Sequence, residues 1–429
     1  AGRTPPGFIE HFCREAALPH LVYFARSDAG CPRASPKAGN MNAALFPHTD
    51  NPGEPLIGGS DFVMVNDARH CMEPEYLQRT CPYFFRLACE KGDHGEGSGG
   101  GGGGGGVPLR YRRAGVGFVQ VPQRFPEELG GDPLGNHAAI QTFFLVANVG
   151  RDGIGAMMSC GHGSIWSMKA LGGERPDGAS FKPEGVPDAE LVGHVIGFKA
   201  EILIEDTHSS INLFHHGWRS AFVSEPGEAL GWCVHQPDSV KWRVKQVFRW
   251  HMGAVQLWLM GRWPYKVCRG GFPSRFHYCI MFDATTYFFQ AFAGQVILAL
   301  PVVYGISEAP PFKTYATEFI FYFFPFLLTG LAPTIIGMHW KKASTERVMR
   351  DEQTWFATAY VHIYAFLKVV WQRVTGASAA DAWRINCPSW PLFSMFFAIV
   401  ISFLVATYNW VERDFEETWV YMSSLLACA

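Results

Sequence analysis

Three long apolar segments near the C-terminal end restrict what this chain can fold into. They cover residues 280–304, 316–338 and 391–410. Each is long enough to cross the hydrocarbon core of a bilayer as a helix, which takes roughly 20 residues. Trp or Tyr flanks every segment, as is typical of the two membrane–water interfaces. The sequence therefore predicts an α-helical transmembrane region over residues 276–429.

Lysine and arginine predict the orientation of these segments. The connection between the second and third segments, residues 341–389, is rich in both, whereas the connection between the first and second carries only Lys313. Because basic loops stay on the cytoplasmic side, we expect residues 341–389 to be cytoplasmic. Residues 1–275 then lie on the same side. Both the plasma membrane and the Golgi membrane fit this orientation.

One stretch of that basic connection has a different pattern. Apolar side chains recur at helical spacing over residues 351–374, with polar and charged ones between them. This pattern is typical of an amphipathic helix that lies in the membrane interface. A helix packed on the preceding domain is the alternative.

Residues 1–275 have the pattern of an α/β domain. Asp61–Val65 and Gly117–Val121 are short apolar runs that predict buried strands. Residues 92–106 end in consecutive glycines and predict a flexible surface insertion rather than a phosphate-binding loop. The net charge of −2 gives no reason to expect a nucleic-acid partner. The chain starts at Ala1, in what looks like the middle of a domain, so we expect a fragment.

Two polar motifs offer groups that suit a diphosphate. The segment Lys37-Ala-Gly-Asn-Met-Asn42 places a lysine beside a glycine turn, which can approach a diphosphate closely. The segment Asp67-Ala-Arg-His70 follows the first predicted strand, and a carboxylate at the end of a parallel strand lies where α/β folds bind ligands. Carboxylate oxygens suit Mg²⁺ or Mn²⁺. Taken singly, these motifs are more often explained by a solvated lysine and a helix-capping aspartate.

Two further motifs follow toward the membrane region. Ile204-Glu-Asp206 offers a carboxylate that can take a proton from a sugar hydroxyl. Gln246-Val-Phe-Arg-Trp250 places Gln, Arg and Trp on about one face of a helix, where Trp can stack on a sugar ring. A carboxylate pair at a helix start and a core tryptophan are the ordinary alternatives.

In this order, the four motifs resemble the signature of the cellulose synthase superfamily, a set of aspartates followed by Q-x-x-R-W. Phe118–Phe125 is similar to the Y-V-Q-F-P-Q-R-F segment of that family. Asp152-Gly-Ile154 and Gly161-His-Gly163 resemble the D-G-I and G-T-G segments of its plant-type members. The resemblance covers about residues 8–275 by motif.

The resemblance implies a fold and an activity. The fold is an α/β GT-A-like glycosyltransferase domain, incomplete at its N-terminus, followed by an α-helical transmembrane region. The activity is that of a family 2 glycosyltransferase that adds glucose from UDP-glucose to a β-1,4-glucan with inversion and extrudes the chain across the lipid bilayer. Homologous complexes also suggest a homo-oligomer, by analogy alone.

The resemblance also implies residue roles. Asp67 would help to hold Mg²⁺ or Mn²⁺ and the donor diphosphate, with Lys37 near the donor. Asp206, beside Glu205, would be the general base that takes the proton of the acceptor 4-hydroxyl. The remaining residues would hold the acceptor end and, for the arginine, the diphosphate as well: Gln246, Arg249 and Trp250.

Three departures from the family pattern leave alternatives open. Arg69 replaces the second aspartate of the D-x-D motif and would bind the diphosphate directly or repel a metal. Ile204 replaces a threonine, and the first aspartate motif of the family would precede Ala1. A cellulose-synthase-like enzyme that makes mannan, mixed-linkage glucan or β-1,3-glucan is one alternative. A catalytically inactive homologue that acts as a partner subunit is another, and a transporter fits the soluble motifs least.

Overall fold

The computed structural model describes part of the chain: residues 36–45, 60–67, 70–89, 109–113, 115–124, 142–174, 176, 197–198, 202–223, 230–233, 237, 239–260, 316–340 and 345–376, and single positions within 285–303 and 400–408. Arg69 and the glycine-rich stretch 92–106 lie outside the described residues. So do most of the first and third predicted membrane segments.

Short strands and helices alternate through the N-terminal part. Its first elements are α1 (Pro36–Leu45), β1 (Phe62–Val65), β2 (His70–Met72), α2 (Tyr76–Thr80), a 3-10 turn (Cys81–Phe84), β3 (Phe85–Cys89), β4 (Leu109–Arg113) and β5 (Val116–Gln120). Next come a π-helical turn (Thr142–Ala147), α3 (Asn148–Asp152), β6 (Ser164–Ser167), α4 (Met168–Leu171), α5 (Glu205–His215), β7 (Arg219–Phe222) and β8 (Gly231–Cys233). The long helices α6 (Val240–Leu259), α7 (Ala316–Trp340) and α8 (Thr345–Thr375) follow. The two predicted strands are present as β1 and β5.

The central sheet has the strand order β1-β6-β5-β7. Strands β5 and β7 pair in parallel, whereas β6 runs antiparallel to both of its neighbours, β1 and β5. The prediction that Asp67 follows a parallel-paired strand is therefore wrong, because β1 pairs antiparallel with β6. Short buried strands need the same apolar side chains in either direction, so their sequence does not show how they pair.

Although β6 is antiparallel, several chain ends still meet at one edge of the sheet, where a site could form. Strands β1, β5 and β7 all run the same way, and Val65 at the end of β1 lies opposite Ser164 at the start of β6. The segment before Ser164 therefore reaches the same edge as the carboxyl ends of β1 and β5. This edge brings Asp67, Gln120 and residues 159–163 into one region.

Aromatic side chains fill the core between this sheet and α5. Phe118 of β5 stacks on Trp166 of β6 with ring centroids 4.6 Å apart, and its centroid lies 6.0 Å from that of Phe214 on α5. All three side chains are almost completely buried. Large aromatic rings bury much apolar area, and this packing fixes α5 against the sheet.

Helix α8 contains the predicted amphipathic stretch, and it packs on α6. Tyr360, Val361, Ala365 and Val369 of α8 are buried in one cluster with the α6 residues Val244, Val247, Phe248, Met252 and Val255. One face of α8 therefore packs on the preceding domain, as the alternative expects. On the other side of α8, Leu367, Trp371 and Val374 are 58%, 61% and 78% exposed. Their location in a membrane interface stays a prediction.

Helix α7 coincides with the second predicted membrane segment. In the stretches that the structure describes, no helix has the combined length and apolar character needed to cross a bilayer. The membrane spans are thus still predictions.

Candidate active site

Lys37 lies at the centre of a cluster of charged groups from three parts of the chain. Its Nζ is 2.8 Å from Oδ1 of Asp67, just beyond β1, and 3.6 Å from Oε1 of Glu205, the first residue of α5. It also donates a hydrogen bond to the carbonyl of Gly161. One ammonium group therefore joins the start of α1, the end of β1 and the start of α5.

The start of α5 presents two carboxylates. Glu205 is buried, at 8% exposure, and Asp206 follows it in the first turn. The backbone N–H of Thr207 donates to Oδ1 of Asp206 at 2.8 Å. Carboxylates are favoured at this end of a helix because its free N–H groups carry partial positive charge. The backbone N–H of Leu203, just ahead of the helix, donates to Oε1 of Gln256 on α6 at 3.1 Å.

Gly161 approaches the second carboxylate closely. A Cβ atom added to Gly161 would lie 2.8 Å from Oδ2 of Asp206 and 3.3 Å from Nζ of Lys37. The φ angle of Gly161 is +73°, in the left-handed region that favours glycine. Only glycine therefore lets this segment lie so near Lys37 and Asp206.

Burial and charge set the protonation of these carboxyls. Burial raises the pKa of Glu205 to about 7, and the nearby Asp206 adds to this, while Lys37 and Arg249 oppose it. Burial also raises the pKa of Asp206, against the effects of Lys37, the Thr207 N–H and Arg249. For Asp67, burial is the largest influence and would raise the pKa, but the charge and hydrogen bond of Lys37, together with His162 and His70, hold the pKa below its usual value. The site thus combines an ionised Asp67 with a pair of carboxyls poised to exchange a proton.

Helix α6 carries the three residues of the Q-x-x-R-W motif. Arg249 lies near enough to Glu205 and Asp206 to influence both charges. Trp250 is 37% exposed, and the guanidinium of Arg243 lies 5.7 Å from its ring centroid. Nη1 of Arg243 also donates to Oε1 of Gln246 at 2.9 Å. The helix therefore offers a cation toward the carboxylates and an accessible aromatic surface beside a fixed amide.

A family model described as Glycosyl transferase family group 2 matches residues 109–371. The chain belongs to this family. The matched stretch contains α5 and α6 with all the motif residues they carry, whereas Lys37 and Asp67 precede it.

Curated relatives of this family 2 glycosyltransferase come from plants. "Probable mixed-linked glucan synthase 7" of Oryza sativa subsp. japonica is 23% identical over 418 residues, covering 84% of this chain and 46% of the relative. "Cellulose synthase A catalytic subunit 9 [UDP-forming]" of Oryza sativa subsp. indica is 26% identical over 192 residues, covering 43% of this chain and 17% of the relative. The chain spans less than half the length of both. The predicted resemblance to the cellulose synthase superfamily is confirmed.

In this glycosyltransferase, the described residues around Asp67 show no set of ligands for a divalent metal. Asp67 is already paired with Lys37. Over the ranges that the structure describes, His, Cys, Asp and Glu side chains form no group of three that could hold a metal ion. In the sequence, Arg69 stands where the family has a second aspartate, and a cation cannot ligate a metal. Mg²⁺ or Mn²⁺ stays a prediction from the resemblance, and no step below depends on it.

Several residues of the site have no role in the sequence-based predictions. His70 and His162 stack with ring centroids 4.0 Å apart, and both rings act to lower the pKa of Asp67. Arg243 orients Gln246 and lies against Trp250. His162 lies within a segment that resembles the family's G-T-G, and this was the one available signal for it. The stacking of His162 on His70 depends on the folded sheet, so no pattern in the neighbouring sequence predicts it.

Proposed function

We propose that the full-length protein is a processive, inverting β-glycan synthase that transfers glucose from UDP-glucose to a growing β-1,4-glucan. The observation that supports this most is the meeting of a carboxylate pair, Glu205 and Asp206, with two cations, Lys37 and Arg249. Such a set provides a base for an alcohol and positive charge for a leaving diphosphate.

The proposed reaction is a single displacement. Asp206 takes the proton of the acceptor 4-hydroxyl, and the freed oxygen forms a bond to C1 of the donor glucose. The bond from C1 to the diphosphate oxygen breaks, and UDP leaves with the electron pair. Glu205 shares the negative charge of the pair, and its pKa of about 7 keeps that pair exchanging protons near neutral pH. Inversion at C1 yields a β-linkage from an α-linked donor.

The cations balance the charge that develops on the leaving group. Lys37 lies beside Asp67 and Glu205, and Arg249 acts on the carboxylates from α6. A diphosphate placed between them gains charge-assisted hydrogen bonds. Trp250 and Gln246 lie within one turn of Arg249 on the same helix. They are proposed to hold the terminal sugar of the glucan, Trp250 by stacking and Gln246 by hydrogen bonding.

The proposal includes a membrane location, with the catalytic domain in the cytoplasm and the glucan leaving through the predicted spans. The exposed apolar stripe Leu367, Trp371 and Val374 on α8 supports contact with the bilayer surface. Either the plasma membrane or the Golgi membrane fits. A homo-oligomer is proposed from the family alone.

Sugar incorporation by membranes that contain the full-length protein tests the proposal. UDP-glucose and other labelled UDP- and GDP-sugars are supplied with Mg²⁺, Mn²⁺ or a chelator, and the polymer is digested with linkage-specific glucanases. Polymer from UDP-glucose that only a β-1,4-glucanase cuts supports the proposal. Polymer from another donor, or with another linkage, would change the proposed product but support the same type of reaction. No incorporation by folded, inserted protein favours an inactive partner subunit, the alternative that Arg69 motivates.

A further inference from the structure

Gln120, the last residue of β5, is completely buried and makes an unusual number of hydrogen bonds. Its Nε2 donates to the carbonyls of Val121, His162 and Gly163 at 2.9, 2.7 and 3.2 Å. Its Oε1 accepts from the N–H of Cys160 at 3.0 Å and the hydroxyl of Ser159 at 3.3 Å. One amide therefore holds the segment 159–163, which is called the glycine loop below.

The glycine loop needs this support because its backbone is not regular. Gly161 and Gly163 have φ angles of +73° and +59°. The loop is tied on its other side to α5, because the N–H of Ser159 donates to the hydroxyl of Ser210 at 3.0 Å. Buried backbone groups without partners are costly, and Gln120 pairs with several of them at once. The loop is thus fixed between the sheet and the helix of the carboxylates.

The position of the glycine loop determines the position of the charged groups. The carbonyl of Gly161 accepts the hydrogen bond of Lys37, and its Cα faces Oδ2 of Asp206 without room for a Cβ. A displaced loop would move the ammonium of Lys37 relative to Glu205, which it approaches at 3.6 Å. Shifts of about 1 Å at a reacting centre can lower rates about 100-fold.

We propose that Gln120 is a positioning residue for glycosyl transfer: its side-chain amide sets the glycine loop, and through it the distance between Lys37 and the carboxylates. This inference rests on the proposed function, since it concerns the geometry of that reaction. It also gives a physical role to the Phe118–Phe125 segment, for which the family resemblance supplied none.

The test compares Gln120→Glu with Gln123→Glu in full-length protein in membranes. Gln120→Glu keeps the shape of the side chain but has no hydrogen to donate to the carbonyls of His162 and Gly163 at neutral or higher pH. Gln123→Glu makes the same chemical change three residues later in the same segment, at a half-buried position for which no hydrogen bond to the glycine loop is described. Polymer formation from UDP-glucose, UDP-glucose binding and thermal unfolding are measured for each.

We expect Gln120→Glu to lower kcat per folded enzyme about 100-fold, with a smaller change in the affinity for UDP-glucose. The acid limb of its kcat/KM profile should move to higher pH. The reason is that a displaced Lys37 lowers the pKa of Glu205 less strongly. Gln123→Glu should stay within about twofold of the wild type. A purely structural role would lower the melting temperature and the folded fraction but leave kcat per folded enzyme and the pH profile unchanged, which would overturn the proposal.

Ser159→Ala keeps the test decisive if Gln120→Glu does not fold. This variant removes a hydroxyl that donates to Gln120 and accepts from the N–H of Gly161 at 3.2 Å. We expect a loss of about tenfold in kcat with the same direction of pH shift. If the wild type is active and Ser159→Ala has the kcat and pH profile of the wild type, the role of Gln120 is refuted while the proposed function stands. An inactive wild type refutes the proposed function instead.

Discussion

Replacing Lys37 by methionine removes a positive charge beside the proposed catalytic carboxylates, Glu205 and Asp206, while keeping most of the side-chain volume. Lys37 lowers the pKa of Asp67, Glu205 and Asp206. Without it, burial acts unopposed by this charge, and the pKa of the Glu205–Asp206 pair rises. Because the proposed base must be ionised, the acid limb of activity should move to higher pH.

The distance between Nζ of Lys37 and Oε1 of Glu205, 3.6 Å, gives the size of this shift. Coulomb's law gives about 1 kcal/mol with the dielectric constant of water and about 5 kcal/mol with an effective value of about 20. One pKa unit corresponds to about 1.4 kcal/mol. Since the side chain of Lys37 is 33% exposed, the lower half of the range applies. We expect the acid limb of Lys37→Met to lie about one to two pH units above that of the wild type.

The assay is the pH dependence of kcat/KM for UDP-glucose, which reports ionisations of the free enzyme. Loss of a diphosphate contact will lower kcat/KM at every pH, so the position of the acid limb, not its height, is diagnostic. Lys169→Met is the matched control, because Lys169 pairs with Glu174 at 3.5 Å on the surface. An acid limb that stays in place in Lys37→Met, or that moves equally in Lys169→Met, would refute the electrostatic reasoning.

Three other substitutions test separate parts of the site. Asp206→Asn should reduce polymer synthesis about 100- to 10,000-fold and leave UDP-glucose binding nearly intact; an equal loss of binding would make Asp206 a structural residue. Trp250→Ala should weaken the binding of cello-oligosaccharides, whereas Trp242→Ala, at a 56% exposed position on the same helix, should not; normal polymer from Trp250→Ala would exclude the stacking role. Glu205→Gln should raise the free energy of unfolding above pH 7 by up to about 3 kcal/mol. The pKa of Glu205 is about 7 in the folded protein and 4.5 ordinarily, so ionisation of this carboxyl opposes folding above pH 7. Below pH 4.5 the carboxyl is protonated in both states, and the substitution should have no effect of this kind. Melting temperatures at pH 5 and pH 8 check this, and a stability difference that does not grow with pH would contradict it.

Local patterns predicted the parts of the fold and site that depend on neighbouring residues. The apolar run at 61–65 is a strand, and the helical periodicity at 351–374 belongs to α8. The structure also brings Lys37 and Asp67 together, although their catalytic roles stay predictions.

What the sequence could not predict depends on contacts between distant segments. The antiparallel direction of β6 follows from how the chain returns to the sheet, and a four-residue apolar strand carries no sign of it. The hydrogen bonds of Gln120 reach 40 and 42 positions along the chain, so no spacing rule could assign them. The packing of α8 on α6 likewise depends on which apolar face finds a partner, while a membrane interface would suit the same periodicity.

The charged cluster also constrains how the protein folds during synthesis. The hydrogen bond from Lys37 to Gly161 joins residues 124 positions apart, and Glu205 lies farther still along the chain. Such long-range contacts form late, because closing a long loop costs conformational entropy before the contacts repay it. A ribosome-bound chain that has not yet released α5 lacks both carboxylates of the proposed base. If the proposed function is right, an unfinished polypeptide would not consume nucleotide sugar, and the onset of transferase activity would mark completion of the domain in a stalled-translation experiment.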